Sequence, residues 1–344
     1  MTSPYHGLGP EAFWRSAVAE GDPGRDAALY RPKFPITQKT RIFTAGSCFA
    51  QHVTRALRAA GCDVIDAEPM TIGLSQKVTR RFGYGLYSAR FGNIYTLRQF
   101  RQLVEEVLGL HKPACPVWTQ DGAFFDALRP MVEPAGFGTE AALHEARAAH
   151  LAAVKSALQQ ADLLIFTLGL TECWEHRETG TVYPTAPETL AGTFDADVFA
   201  FRNLGYDDCI DDFVALRGHL AELKPGLQFL LTVSPVPLTA TASGAHVLQA
   251  STYSKAVLRA VCGALYQADT AVDYFPSYEL ITAPRSQGHW FDANLRTPSA
   301  EGVAMVMQHF FRAHGLAAKA DEVVQGDDTT DPLCDEVLLE AFSK

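Results

Sequence analysis

Residues 41–60 read RIFTAGSCFAQHVTRALRAA. The stretch opens on a short apolar run, Ile42-Phe43-Thr44-Ala45, turns at Gly46-Ser47-Cys48, and continues with helical spacing through Val53, Leu57 and Ala60. A strand that feeds a helix through so tight a corner sets Ser47 and Cys48 at the carboxyl end of the strand and the amino end of the helix. Unpaired backbone N–H groups and the positive end of the helix dipole gather there and favour developing negative charge. In open α/β sheets this is also where ligands bind. A serine in that position is commonly only a helix cap, and a cysteine is commonly a buried apolar residue, so the corner alone does not make a nucleophile.

The alternation that begins here runs along the chain. Gly61 stops the first helix, and residues 62–66 are a second strand candidate. Helices are expected at 97–110, 139–161, 208–223, 252–268 and 299–314. Further strands are expected at 162–167, 229–233 and 271–275. Five short apolar strands, four of them separated by helices, predict a three-layer α/β/α sandwich around a mostly parallel sheet. Residues 67–135 and 173–205 interrupt the pattern and read as insertions on one edge. Asp121-Gly122 between apolar residues marks a hairpin in the first of them. The loop 67–98 is rich in glycine and tyrosine, which predicts an ordered segment lining a site. Residues 1–37 form an arm punctuated by Pro and Gly, with a short helical piece near 11–19. Residues 38–316 form the domain, and 317–344 form an acidic tail on the surface.

The chain has 344 residues, an apolar fraction of 47% and a net charge of −10. The length and apolar content suit one elaborated α/β domain. The acidic balance argues against a nucleic-acid or anionic-membrane partner, although a local basic patch is visible around Lys77 to Arg81. Seven cysteines, an odd count with no C-x-x-C pair and no zinc spacing, read as reduced thiols in a cytoplasmic protein. No basic-then-apolar leader opens the sequence, and no apolar run approaches a membrane span. No G-x-G-x-x-G, Walker loop or H-E-x-x-H occurs, so no cofactor or metal is expected. The arm, with Phe13 and Trp14, packs on the domain or on a neighbouring copy, which leaves an oligomer open.

Strand ends converge at one edge of a parallel sheet. Here they supply Gly46-Ser47-Cys48, Gly169-Leu170-Thr171-Glu172, Ser234-Pro235 and Ser277-Tyr278-Glu279. Several residues could do proton chemistry beside them. His289, in Gly288-His289-Trp290-Phe291-Asp292, precedes the last helix, and Asp292 could orient it. Glu172 and His176 have the i, i+4 spacing of one helix face. His52, four residues after Cys48, could pair with a thiolate at a helix N-terminus, in which case Cys48 attacks. Tyr253 and Lys255, two apart, fall on different helix faces and are not read as an acid–base pair.

The pentapeptide Gly46-Ser47-Cys48-Phe49-Ala50, with Phe91-Gly92-Asn93-Ile94-Tyr95-Thr96, Thr167-Leu168-Gly169-Leu170-Thr171-Glu172 and Thr232-Val233-Ser234-Pro235-Val236-Pro237, resembles the GSCFA family over about residues 38–312. That family is grouped with the SGNH/GDSL hydrolases, which use a flavodoxin-like sheet. The resemblance implies a serine esterase or O-acyltransferase acting on a small ester or an acylated carbohydrate. It implies Ser47 as nucleophile, with its own N–H and Gly92 as oxyanion donors and Asn93 beside them. It also places Thr171 where the superfamily has an oxyanion asparagine. The superfamily's closing block, D-x-x-H-P, is replaced by Asn294-Leu295-Arg296-Thr297-Pro298. A serine hydroxyl without a base is a weak nucleophile. Either His289 takes over that role, or the frame has become a ligand-binding protein, or Cys48 or Glu172 runs different chemistry in the same pocket.

Overall fold

The computed structural model describes residues 3–22, 24, 26–316 and 335–342. Most of the expected acidic tail therefore lies outside the described residues. Strand β1 (Ile42–Gly46) leads through Ser47 into α1 (Phe49–Ala59). After the short α2 (Gln76–Arg81) and α3 (Leu97–Val107) comes the hairpin β2 (Val117–Gln120) and β3 (Ala123–Asp126). It turns on Asp121 and Gly122, both at positive φ, as the Asp-Gly step predicts. Helix α4 (Glu140–Gln160) feeds β4 (Leu163–Leu168). Next come β5 (Glu172–His176), β6 (Val182–Tyr183) and β7 (Phe199–Asn203), an antiparallel sheet in the order β6-β5-β7. The chain then returns to alternation with α5 (Tyr206–Leu223), β8 (Gln228–Val233), α6 (Val247–Ala268), β9 (Val272–Tyr274), α7 (Ser277–Thr282) and α8 (Ala300–His314).

The main sheet is parallel and ordered β1-β4-β8-β9. The expected second strand is reduced to one parallel bridge, Val64 to Ile42, on the far side of β1. Counting that bridge, the strand order is that of a flavodoxin-like, doubly wound sheet, and its switch point lies between β1 and β4. Strand residues alternate between two cores. Phe43, Leu164, Phe166, Phe229 and Leu231 pack with α3, α4, α5 and α6. Ile42, Leu163, Ile165 and Leu230 pack with α1, α7 and α8. Apolar residues on both faces explain why these strands read as unbroken apolar runs.

The first insertion is fastened to α4 by ions. Asp126 accepts from Arg129 Nε at 2.7 Å and from Arg147 Nη1 at 3.0 Å, and Arg147 Nε reaches Glu106 at 2.8 Å. Glu68 bonds His150 Nδ1 at 2.8 Å. The arm is tied to the outer strand of the sheet: Tyr30 Oη donates to Asp273 at 2.9 Å, and the Lys33 N–H donates to the same oxygen at 3.1 Å.

Candidate functional site

The switch point is built from glycines that nothing else could replace. Gly46 has φ +140°, and a Cβ there would stand 2.5 Å from Thr167 O. At Gly169, after β4, a Cβ would stand 2.7 Å from Ser47 Cβ and 3.3 Å from Ser47 Oγ. The two strand ends thus close on each other with Ser47 between them. Ser47 is 2% exposed, and its Oγ is sealed from solvent and makes no hydrogen bond among the described residues. Thr167 Oγ1, beside it on β4, is likewise buried without a partner. Buried hydroxyls are nearly always bonded, so two orphans at one strand edge mark the place as unusual.

The surroundings differ from the expected oxyanion hole. The Ser47 N–H donates to Thr167 O at 3.1 Å and so continues the parallel ladder. Asn93 lies beneath the corner: its Oδ1 accepts from Tyr87 Oη at 2.5 Å and Gln51 Nε2 at 3.2 Å, and Tyr87 Oη also meets Ser47 O at 3.2 Å. Gly92, at φ +70°, has its open side toward Arg129 and Val132. The Thr171 hydroxyl is committed to Asn203 Oδ1 at 2.7 Å and its N–H donates to Ser254 Oγ at 3.0 Å, so it is turned toward β7 and α6. Ser234 Oγ caps the Val236 N–H at 3.2 Å inside its own turn.

The candidate bases are dispersed. His289 is 68% exposed on its loop, 3.8 Å from Glu301, and its ring meets Trp290 edge-on. Asp292 is exposed. Among the described residues no imidazole bonds Ser47 Oγ. Asn294 and Thr297 bond each other at 3.0 Å, and Asn294 Oδ1 also receives the Thr297 N–H, so the pair now shapes a turn. Glu172 and His176 do not share a helix face, because 172–176 is strand β5, paired with β7. His176 Nδ1 lies 3.2 Å from the Thr179 hydroxyl. Glu172 accepts from Thr241 Oγ1 at 2.7 Å, and burial pushes its carboxyl up. Burial, Arg55 and Arg80 push His52 down to about 3, so it is neutral and forms no imidazolium with Cys48. Cys48 itself is buried at the head of α1.

Two features escaped the sequence reading. Lys255, set aside in the sequence because it and Tyr253 fall on different helix faces, is 3% exposed, and its Nζ donates to Gly169 O at 2.7 Å. It thus grips the very turn that covers Ser47. The signal was available: α6 begins at Val247 rather than at 252, and the apolar face then runs through Ala250, Ser254, Leu258 and Val261 with Lys255 at its margin. The second feature is a cavity of about 190 Å³ just beyond the turn, lined by Leu170, Glu172, Trp174, Phe201, Leu238 and Thr241. Its aromatic wall comes from the β5–β7 sheet, which the sequence showed only as an insertion.

A parallel sheet with its switch point at a Gly-Ser-Cys corner defines a class of α/β protein with ligand chemistry at the strand ends. The chain belongs to the GSCFA family, whose model matches residues 41–310. No curated protein matches it. Three solved structures resemble it distantly. An acetyl esterase mutant with acetate ion has 10% identity and a TM-score of 0.35, over 83% of this chain and 97% of that one. A carbohydrate esterase family 3 protein from Talaromyces cellulolyticus has 9% identity and a TM-score of 0.37, over 84% and 100%. A GDSL-like lipase from Parabacteroides merdae has 13% identity and a TM-score of 0.36, over 83% and 100%. Likenesses this distant assign neither substrate nor residue to this chain.

Proposed function

We propose that the chain is a serine-dependent acyl-ester hydrolase or O-acyltransferase, acting on a small ester or an acylated carbohydrate. The observation that carries this reading is the unbonded hydroxyl of Ser47, held at the switch point of the sheet where a hydrogen bond would otherwise be expected. The cavity edged by Glu172, Trp174 and Thr241 supports a substrate with hydroxyl groups and an apolar face. In the reaction, Ser47 Oγ bonds the acyl carbon as its proton leaves. The C–O bond to the leaving alkoxide breaks as that oxygen takes a proton, and water or a sugar hydroxyl then takes the acyl group as Ser47 Oγ regains its proton.

Two groups compete for the Ser47 proton. Lys255 is buried, and its Nζ holds the carbonyl of Gly169, the residue whose backbone closes on Ser47. His289, with Asp292, needs its loop to close over the corner. A fluorophosphonate probe tests the nucleophile: wild type labels and Ser47→Ala does not. Equal labelling of both ends the proposal. Turnover then separates the bases. Loss of about a hundredfold or more in Lys255→Met, with His289→Ala near wild type, selects the lysine; the reverse selects the imidazole.

A second reading is a ligand-binding protein without turnover. It is favoured by Asn294 and Thr297, which occupy the acid and base positions of the superfamily and satisfy each other. A folded protein that resists the probe yet binds acylated sugar supports it.

A further inference from the structure

Between Glu68 and Glu105 the chain carries no Asp or Glu over 36 residues, although it has 39 of them in all. The same interval holds six cations: Lys77, Arg80, Arg81, Arg90, Arg98 and Arg101. Three of these are committed to ion pairs, Arg90 with Glu133 and Arg98 and Arg101 with Asp212. The other three lie on α2 (Gln76–Arg81), where Lys77 and Arg81 are exposed. Residues 71–78 are all exposed. They include Ile72, Leu74 and Val78, at 68%, 48% and 38% exposure.

Both ends of this segment are fixed to the body. On one side the Ala67 N–H donates to Ser88 O at 2.8 Å and the Arg90 N–H to Glu68 at 2.6 Å. On the other, Arg90 Nε holds Phe82 O at 3.0 Å and Arg58 Nη1 holds Gly85 O at 2.6 Å. The segment is therefore a flap with anchored ends and an exposed middle, on which aliphatic and cationic side chains are interleaved. It is joined to α1, the helix that Ser47 leads into, because Arg58 of that helix holds Gly85 O.

We propose that this flap docks on an anionic lipid surface, with Ile72, Leu74 and Val78 entering the headgroup layer and Lys77 and Arg81 facing the lipid phosphates. Interleaved aliphatics and cations on one protruding element are the pattern of interfacial binding. The whole chain is acidic, so the local positive field fixes which face approaches. Single-stranded nucleic acid would call for aromatic stacking side chains, and residues 71–81 carry none.

Co-sedimentation of the full chain with phosphatidylglycerol vesicles, and with phosphatidylcholine vesicles as the neutral control, tests the proposal without any turnover. It therefore stands or falls apart from the ester reading. Binding is expected to the anionic vesicles only and to weaken as salt rises. It should fall at least tenfold in Lys77→Glu/Arg81→Glu, and at least tenfold in Ile72→Ser/Leu74→Ser. All four positions are exposed, so both variants should melt like wild type. Failure to bind phosphatidylglycerol overturns the proposal. So does binding that ignores the aliphatic pair and is matched by a soluble polyanion such as heparin, which would make the flap a polyanion surface.

Discussion

Asp126 and Ser47 are almost equally buried, at 3% and 2% exposure, but their surroundings are opposite. Asp126 is met by Arg129 and Arg147, and Arg147 is met in turn by Glu106. These guanidinium groups hold its carboxyl below the usual range although burial alone would raise it. The charges compensate one another, and the network reads as scaffolding that pins the hairpin β2–β3 to α4. Ser47 differs: its Oγ and the Thr167 Oγ1 of the neighbouring strand are both buried with no hydrogen-bond partner among the described residues. A satisfied buried network says how the chain holds together. An unsatisfied buried group says where it has been left open for something else.

The largest effect should come from breaking the satisfied region. Arg147→Ala leaves the Asp126 and Glu106 carboxylates buried beside a hole, and should lower stability by about 3–5 kcal/mol. Denaturant melts measure it. A loss under about 1 kcal/mol would mean the network is not compensated as drawn.

Acid should act next, through the same region. Burial and Arg129 push His150 from 6.5 down to about 4 despite Glu68, and burial pushes His314 to about 4 as well. Both are neutral in the fold and charge on unfolding. Stability from each is therefore intact above pH 6.5 and is lost as pH falls toward 4, at about 1.4 kcal/mol per pH unit for His150. Glu68, whose carboxyl is lowered, works in the same direction. Stability measured across this range should flatten in His150→Gln, and an unchanged slope would refute the assignment.

The smallest effect, and the one of opposite sign, belongs to the open region. Thr167→Val and Ser47→Ala each remove a buried hydroxyl that has no partner, and each should raise stability by about 1 kcal/mol. A loss of stability in either variant would show that the hydroxyl is bonded after all.

The strand–corner–helix at 42–59 was legible because its apolar run, its glycine and its helical spacing agree with one another. The hairpin at Asp121-Gly122 was legible for a similar reason: positive φ at both residues is what that dipeptide supplies best. Residues 172–176 misled because an even offset of four shares a face in a strand as well as in a helix. The pairing with β7, which decides the matter, is not local. Lys255 was passed over because a lysine in an amphipathic helix is usually solvated, whereas here it is buried and donates to the Gly169 carbonyl. Glu68 and His150 are 82 positions apart, a pairing no local pattern could announce.

The bond from Tyr30 to Asp273 joins residues 243 positions apart. The arm is made well before the strand that receives it, so until that strand appears it has nowhere to attach. Its attachment is among the slow, long-range closures of folding, and it fastens the outer edge of the main sheet.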